Sequence, residues 1–256
     1  MLSAVKDMPC EAALSKGDDP QPGVWPTEAS LTVRDLTLRY GADAKPALQS
    51  VSFAVPGGHK LGICGRTGAG KTSCISALTR LFEPDVSSHL VIDGVDLCSI
   101  GLSRLRDAVT VISQDVFVFS GSWRANLNPF DKHSDDKIWH ALELSSLKEY
   151  VQSLPGGLES HISDLGGNLS HGQVQLLCLT RALLDAKKLL LVDEATASLD
   201  ADTDKLVQAT LRSQFKDTTV ITIAHRLETI KHCDSILVMS DGQVAEFGTP
   251  SDLLRR

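Results

Sequence analysis

The chain has 256 residues, 42% of them hydrophobic and 22% charged, which is enough to bury a substantial core. Its 32 aspartates and glutamates outnumber 25 lysines and arginines, giving a formal net charge of −7, so we expect no nucleic-acid partner. No apolar run approaches the roughly 18 residues that a membrane helix needs, and the start lacks a signal-peptide pattern. The six cysteines form no C-x-x-C pair, which favours a reducing compartment and no structural zinc.

The first part of the chain is predicted to be a leader. Residues 1–30 contain four prolines among small and acidic residues and show no sustained apolar period, which is typical of a loosely ordered linker. The folded domain is predicted over 31–256. It opens with LTVRDLTLRY and LQSVSFAV, in which apolar and polar residues alternate as in half-exposed strands.

The next segments predict an α/β fold. KLGIC is a short buried strand, a glycine-rich turn follows it, and KTSCISALTRLF fits a helix, so 61–82 is the first unit of a parallel sheet. Later strands are expected at LLLV and VITI, and a mainly helical insert is expected before them at about 115–185. Near the end, Asp241-Gly242 predicts a hairpin turn, because this dipeptide tolerates positive φ.

The glycine-rich turn matches the phosphate-loop pattern G-x-x-x-x-G-K-[ST]. It follows a strand and opens a helix, as that motif requires. Glycines let backbone N–H groups surround phosphates, the lysine reaches the terminal phosphates, and the threonine hydroxyl is a ligand for Mg²⁺. The predicted nucleotide-binding residues are Gly65, Arg66, Thr67, Gly68, Ala69, Gly70, Lys71 and Thr72.

Two acids end the predicted strand LLLV. Asp193 is in the position of a carboxylate that holds Mg²⁺ beside the phosphate loop, and Glu194 is the candidate general base for the attacking water. The alternative is that both acids simply end a strand in solvent. The phosphate loop upstream requires an acidic metal partner, which favours the functional interpretation.

A third motif begins a helix. Ser170 and Gln173 are spaced as a capping box before an amphipathic segment, so a well-formed helix N-terminus is expected there. Taken alone, this pattern predicts a capped helix and nothing more.

The motifs GRTGAGKT, LSHGQ, LLLVDE and Ala224-His225-Arg226, in this order, resemble the nucleotide-binding domain of ABC (ATP-binding cassette) proteins from about residue 31 to residue 254. The resemblance implies a P-loop NTPase core with a mainly parallel sheet, an N-terminal antiparallel β subdomain and an inserted helical subdomain. It also implies individual roles: adenine stacking by Tyr40, Mg²⁺ contact and partner sensing by Gln114, γ-phosphate contact by His225 and dimer contact by Asp200. Read singly, Tyr40, Gln114 and His225 would be structural residues.

The resemblance further implies ATP hydrolysis and two kinds of partner. ATP and Mg²⁺ are the expected cofactors, with Lys71, Gln114, Glu194 and His225 as catalytic residues and Thr72, Gln114 and Asp193 as metal ligands. Two such domains pair head to tail, so Ser170, Gly172 and Gln173 would act on ATP held by the other domain. Membrane-spanning domains outside this chain are the second partner, and they would place it at the cytoplasmic face of a membrane.

Segments such as Trp25-Pro26 and Asn126-Leu127-Asn128-Pro129-Phe130 are most similar to the C-terminal ATPase domain of the multidrug-resistance-associated (C) subfamily. Three positions depart from the family pattern: His171 replaces a glycine, Val174 a basic residue and Val116 a proline. The resemblance therefore implies an intact hydrolytic half-site and a weaker signature.

Three functions remain open from the sequence. The first is a transport ATPase domain that moves a membrane domain between two states. The second is a nucleotide-gated regulatory module with little turnover, which Glu194 argues against and His171 mildly favours. The third is a soluble ABC ATPase acting on ribosomes or DNA. The acidic charge, the single cassette and the absence of a coiled-coil insertion favour the first function over the third.

Overall fold

The computed structural model of the chain describes residues 11–41, 43–194, 200–224 and 226–255. Strands and helices alternate through most of this range. The strands are β1 (Leu31–Leu38), β2 (Leu48–Val55), β3 (Lys60–Gly65), β4 (His89–Ile92), β5 (Val95–Asp96), β6 (Val109–Ile112), β7 (Gly121–Ser122), β8 (His161–Ile162), β9 (Leu189–Asp193), β10 (Thr219–Ile223), β11 (Ser235–Ser240) and β12 (Gln243–Gly248). The helices are α1 (Lys71–Leu78), α2 (Leu102–Asp107), α3 (Trp123–Leu127), α4 (Asp135–Leu144), α5 (Lys148–Ser153), α6 (His171–Leu184), α7 (Ala201–Gln214), α8 (Leu227–Ile230) and α9 (Pro250–Leu253).

The larger sheet has six strands in the order β12-β11-β3-β10-β9-β6. All neighbouring pairs are parallel except β11 and β12, which form the predicted hairpin. Asp241 and Gly242 have φ values of 50° and 78° at the turn, as a tight two-residue connection requires. Every residue of β9 is buried, because parallel strands are covered on both faces. The carboxyl ends of β3, β9 and β6 therefore meet at one edge of the sheet.

A second sheet packs beside the first, with the order β2-β1-β4-β5 and antiparallel pairing throughout. The alternating segments recognised in the sequence form its first two strands. Apolar side chains of both sheets and of α1 share one hydrophobic core. The predicted fold class, with a mainly parallel core sheet and an N-terminal antiparallel subdomain, is confirmed.

The helical part of the fold lies between β6 and β9 and contains α3 to α6 with the small ribbon β7–β8. It has its own core, in which Trp123 and Leu177 are fully buried. This confirms a helical insert as part of the fold class, while its limits at 115 and 185 stay a prediction. No helix among the described residues is both long and apolar enough to cross a membrane.

One helix is shorter than the sequence pattern indicated. The apolar spacing predicts a helix to residue 82, but α1 ends at Leu78. Arg80 has a φ of 48°, which the helix cannot accommodate, and it is 4% exposed. Its guanidinium donates to the carbonyls of Leu97 and Ile100 at 2.9 Å each. These buried hydrogen bonds, made with residues distant in the sequence, outweigh local helical preference.

Residues 11–30 form no helix or strand, and the boundary at residue 31 stays a prediction. The segment is nevertheless attached to the domain. Trp25 is buried, and its indole N–H donates to the Ile92 carbonyl at 3.0 Å. The Asp93 carboxylate accepts backbone N–H groups of residues 27–30 at 2.8 to 3.0 Å. Burial raises the pKa of Asp93, but the hydrogen bonds from this segment outweigh burial and hold the pKa below its ordinary value.

Candidate functional site

The phosphate loop joins β3 to α1 at the edge where the parallel strands end. Gly68 and Gly70 have φ values of 81° and 97°, which disfavour residues with a side chain. A Cβ on Gly70 would lie 2.7 Å from the carbonyl oxygen of Ala47, whereas one on Gly68 would meet no atom within 4 Å. Glycine is therefore required at residue 70 by both backbone conformation and close packing.

Helix α1 begins at this loop without a side-chain cap. Gly70 is its N-cap residue and supplies no hydrogen-bonding side chain. Lys71 follows, is 5% exposed, and its ammonium donates to the carbonyls of Gly65 and Arg66 at 3.1 and 3.2 Å. A helix N-terminus with a buried cation beside it has the chemistry of an anion site, which fits the phosphates of ATP.

An oxygen cluster lies next to the loop. The Thr72 hydroxyl donates to a carboxylate oxygen of Asp193 at 3.4 Å, and Asp193 is buried at the end of β9. Burial raises the pKa of Asp193, and the neighbouring Glu194 raises it further, although the hydrogen bond from Thr72 and the charge of Lys71 oppose the shift. Oxygen ligands and converging negative charge fit a hard divalent cation such as Mg²⁺.

Glu194 immediately follows β9 in a conformation that is rare for a residue with a side chain. Its φ is 47°, and its backbone N–H donates to the Ile223 carbonyl at the end of β10 at 3.2 Å. Such outliers persist where surrounding structure holds them, and they are common at functional sites. The carboxylate is thereby placed at the same edge as the phosphate loop.

These elements enclose a cleft of about 490 Å³. It brings together the phosphate loop and three residues that the sequence analysis singled out from elsewhere in the chain. Those three are Tyr40 after β1, Gln114 after β6, and Glu194 after β9. The lining residues are Tyr40, Ala47, Thr67, Gly68, Gly70, Lys71, Thr72, Ser73, Gln114 and Glu194.

Tyr40 is half exposed, and its side chain contacts Ser73 and Phe82. Its phenolic oxygen lies 2.8 Å from the hydroxyl oxygen of Ser73. Its ring meets Phe82 edge to face, with 4.7 Å between centroids. Sequence reasoning missed Ser73 and Phe82; the available signal was that Ser73 continues the hydroxyl-bearing first turn of α1.

The signature segment lies apart from this cleft. Ser170, Gly172 and Gln173 are absent from the residues that line it. The predicted capping box is confirmed: the Ser170 hydroxyl accepts the backbone N–H of Gln173 at 3.2 Å, and the Gln173 side chain accepts the N–H of Ser170 at 2.8 Å. Ser170 and His171 are exposed. The N-terminus of α6 therefore faces outward.

Two further residues singled out in the sequence are Asp200, just before α7, and His225, just after β10. Asp200 caps α7 by accepting the N–H groups of Asp202 and Thr203 at 3.1 and 3.0 Å. His225 follows β10 but lies outside the described residues.

A second depression of about 620 Å³ runs between β6 and the helical part of the fold. We call it the β6 groove, lined among others by Val111, Phe117, Phe130 and Arg181. Phe117 and Phe130 are 68% and 78% exposed. Arg181 closes its floor by donating to the carbonyls of Phe117 and Asn126 at 2.6 and 2.7 Å. Large exposed aromatic side chains beside a concave surface are typical of interaction sites.

Comparison with known proteins shows the family to which this chain belongs. The profile of the family described as ABC transporter matches residues 48–197, which include the phosphate loop, the signature, and Asp193 and Glu194. The chain belongs to the ABC transporter family. The resemblance drawn from the four ordered motifs is thus confirmed, and the cleft belongs to an ABC transporter ATP-binding domain.

The curated relatives confirm the finer resemblance to subfamily C. The domain is 45% identical over 237 residues to ATP-binding cassette sub-family C member 2 of Rattus norvegicus, covering 93% of this chain and 15% of the relative. It is 48% identical over 249 residues to the probable multidrug resistance-associated protein lethal(2)03659 of Drosophila melanogaster, covering 96% of this chain and 18% of the relative. The chain thus spans less than a fifth of these relatives.

A solved structure agrees with the architecture. A bacterial Atm1-family ABC exporter with ATP bound superposes with a TM-score of 0.91 at 30% identity, over 100% of this chain and 44% of the exporter chain. This likeness agrees with the sheet order and the helical insert described above.

Proposed function

We propose that this domain binds ATP with Mg²⁺ in the 490 Å³ cleft and hydrolyses it to drive a membrane transporter. The observation that carries the proposal is the convergence of the phosphate loop, Gln114 and Glu194 on one cleft, although β3, β6 and β9 are far apart in the sequence. Phosphoryl transfer depends on positioning and charge, and this edge of the sheet supplies both.

Some of the cleft residues would bind ATP, and others would act in its hydrolysis. The loop from Gly65 to Thr72 would surround the phosphates, and the buried Lys71 ammonium would turn from its carbonyl partners toward the terminal phosphates. Tyr40 would stack on adenine. When bound to Thr72, Asp193 and Gln114, Mg²⁺ would neutralise charge on the phosphate oxygens and fix their orientation.

Glu194 is proposed as the general base. Its backbone N–H donates to the Ile223 carbonyl, and the residue lines the cleft. It would accept a proton from water as the water oxygen attacks the γ-phosphorus and the bond to ADP breaks. His225 is proposed, from its place in the sequence alone, to contact the γ-phosphate.

The signature would complete the cleft of another molecule. Ser170 and His171 are exposed, and the capped N-terminus of α6 does not line the cleft of its own chain. A head-to-tail pair of domains would bring Ser170, Gly172 and Gln173 of one domain to ATP in the other. ATP would then hold the pair together, and hydrolysis would release it.

The β6 groove is the proposed docking surface for a membrane-spanning domain. It begins at β6, whose end leads directly to Gln114, so a partner seated there could sense the state of the cleft. Docking would hold the domain at the cytoplasmic face of a membrane. Substituting this chain for the matching segment of a full-length relative, with and without Phe117→Glu, tests the docking. Unchanged ATP-dependent transport by the Phe117→Glu chimaera would overturn it.

The hydrolysis proposal is tested by measuring MgATP turnover against protein concentration, with Glu194→Gln as control. We expect the rate per molecule to rise with concentration, because two domains share each site. Glu194→Gln should bind ATP but lose turnover by about 10²-fold or more. A rate per molecule that is independent of concentration would contradict the paired site, and full activity in Glu194→Gln would contradict the assigned base.

The second candidate is a nucleotide-gated regulatory domain with little turnover, and His171 is the observation that favours it. This exposed residue is the first of α6, where the family has glycine. Binding of ATP with pairing of the domains, but without hydrolysis at any concentration, would support this candidate instead.

A further inference from the structure

Tyr40 is attached to the phosphate-binding helix rather than to its own sheet. It lies two residues beyond the end of β1 in the antiparallel sheet, where a half-exposed ring could adopt several orientations. Among the residues that the structure describes, its side chain contacts Ser73 and Phe82, and both belong to the segment that starts at the phosphate loop.

One contact comes from α1 itself and the other from the turn that follows it. Ser73 is the third residue of this helix, directly after Thr72, and is 6% exposed. Phe82 follows the end of the helix in a turn where the Leu81 backbone N–H donates to the Ser76 carbonyl at 2.9 Å. One contact fixes the phenolic oxygen and the other fixes the ring. Together they determine the direction and the plane of the Tyr40 side chain relative to the phosphate loop.

We propose that Ser73 is a positioning residue that sets Tyr40 as a base platform at a fixed distance from the phosphate loop. The inference rests on the proposed binding of ATP and adds a selectivity device to it. A platform ordered before binding loses little conformational entropy when a base stacks on it. The cleft would therefore favour triphosphates that carry a base over triphosphate alone, and Ser73 would contribute to that difference without touching the base.

A serine hydroxyl has one donor and two acceptor positions, so Ser73 could contact Tyr40 and a phosphate oxygen together. The two roles make different predictions. A phosphate contact would stabilise any triphosphate, whereas a contact that orients Tyr40 stabilises only a ligand with a base. Inorganic tripolyphosphate separates these roles because it has the phosphates of ATP and no base.

The test is calorimetric titration with MgATP and with magnesium tripolyphosphate, in a Glu194→Gln background that preserves ATP. Ser73→Ala should lower ATP affinity about fivefold, the usual effect of one lost hydrogen bond, and change tripolyphosphate affinity less than twofold. Ser76→Ala is the matched control. It removes another buried hydroxyl from α1, one that bonds the Thr72 carbonyl at 3.1 Å, and should change neither affinity. Equal losses for both ligands in Ser73→Ala, or no loss for ATP, would overturn the inference.

Tyr40→Phe provides an independent check because it keeps the ring and removes the same hydrogen bond. Each single variant and the double variant should lose about fivefold in ATP affinity, because they remove one shared interaction. Losses that multiply to about 25-fold in the double variant would show separate roles and overturn the inference. If the parent chain binds neither ligand, the proposed function itself fails, an outcome distinct from binding that Ser73→Ala leaves unchanged.

Discussion

The helices α1 and α6 both begin at motifs that the proposed function assigns to ATP, but they begin differently. At α1 the N-cap is Gly70, which has no capping side chain, and the first helical residue is the buried Lys71. At α6 the N-cap is Ser170, whose capping box with Gln173 is complete, and the first helical residue is the exposed His171. One N-terminus lacks a side-chain partner and is enclosed, while the other has its partners and faces outward.

The difference indicates how each end can act on a nucleotide. The N-terminus of α1 offers uncapped polar groups and a cation within a cleft, so it can bind anions by itself. The N-terminus of α6 has its capping partners within its own helix, and among the described residues Ser170 and His171 at this end are exposed. It can contribute dipole and hydroxyl contacts to an anion that another molecule presents. The following predictions test this contrast, from the largest expected effect to the smallest.

Gly70→Ala should destabilise the α1 end most. Its Cβ would lie 2.7 Å from the Ala47 carbonyl oxygen in a backbone with φ of 97°. We expect a loss of about 3 kcal/mol in unfolding free energy and about 100-fold or more in ATP affinity. Urea denaturation and calorimetric titration measure these effects. Gly68→Ala is the control, because its Cβ meets open space, and it should cost about 1 kcal/mol. Equal effects of the two variants would exclude packing as the cause.

Asp193→Asn should stabilise the nucleotide-free domain, by less than the loss expected for Gly70→Ala, because it removes a carboxylate whose charged form is disfavoured by burial. Burial and Glu194 raise the Asp193 pKa, so the folded state holds this proton more tightly than the unfolded state does. The ionised Asp193 carboxylate therefore lowers the free energy of unfolding at pH values above its folded-state pKa. This destabilisation disappears as the pH falls through that pKa and the carboxyl group becomes protonated.

Thermal denaturation of the wild type and of Asp193→Asn at several pH values checks the sign. The advantage of the variant should shrink as pH falls from 7 toward the ordinary carboxyl range. MgATP should stabilise the wild type and not the variant, and EDTA should remove much of the effect on the wild type. An advantage that grows on acidification would refute the assigned direction of the pKa shift.

Ser170→Ala should destabilise the domain by about 1 kcal/mol, because the capping box of α6 is lost. Ser170→Thr keeps a capping hydroxyl and is the control. ATP affinity of the dilute domain should be the same in both variants, since Ser170 does not line the cleft of its own chain. A tenfold loss of ATP affinity in Ser170→Ala at low protein concentration would contradict the separation of the two ends.

Gly172→Ala should have the smallest effect on stability, within about 0.5 kcal/mol. Its Cβ would meet the Thr203 side chain at 3.8 Å, an ordinary contact, without any unusual φ. Turnover at high protein concentration should nevertheless fall several-fold, because Gly172 is in the first turn of α6, the end that would contact the nucleotide of the other domain. Steady-state hydrolysis compared with urea denaturation tests this difference. Unchanged turnover would argue against a shared site.

The sequence was most informative where structure is local. The order of residues from Gly65 to Thr72 predicts a strand, a loop and a helix, because glycine conformations and helix starts depend on neighbouring residues. The same reasoning placed the capping box of α6 and the Asp241-Gly242 turn, and both are confirmed. The four ordered motifs also indicate the family, because each is a short run of residues.

The sequence alone did not indicate contacts between distant segments. Ser73 and Tyr40 are 33 residues apart, and Trp25 and Ile92 are 67 residues apart. The pattern of α1 also continues to residue 82, although the helix ends at Leu78, because Arg80 bonds two distant carbonyls. Such contacts depend on how the two sheets pack, which no short window of sequence contains.

The sequence by itself therefore determined the phosphate loop, the position of Asp193 and Glu194 at the end of a buried strand, the capping box of α6 and the family. The tertiary structure decided which of these groups share a cleft, that the signature faces away from it, and that Tyr40 is tied to α1. The physical reason is the distance along the sequence over which each kind of interaction acts. Backbone preferences act between neighbouring residues, whereas the cleft exists because burial of apolar side chains in one core brings the ends of several strands to the same edge.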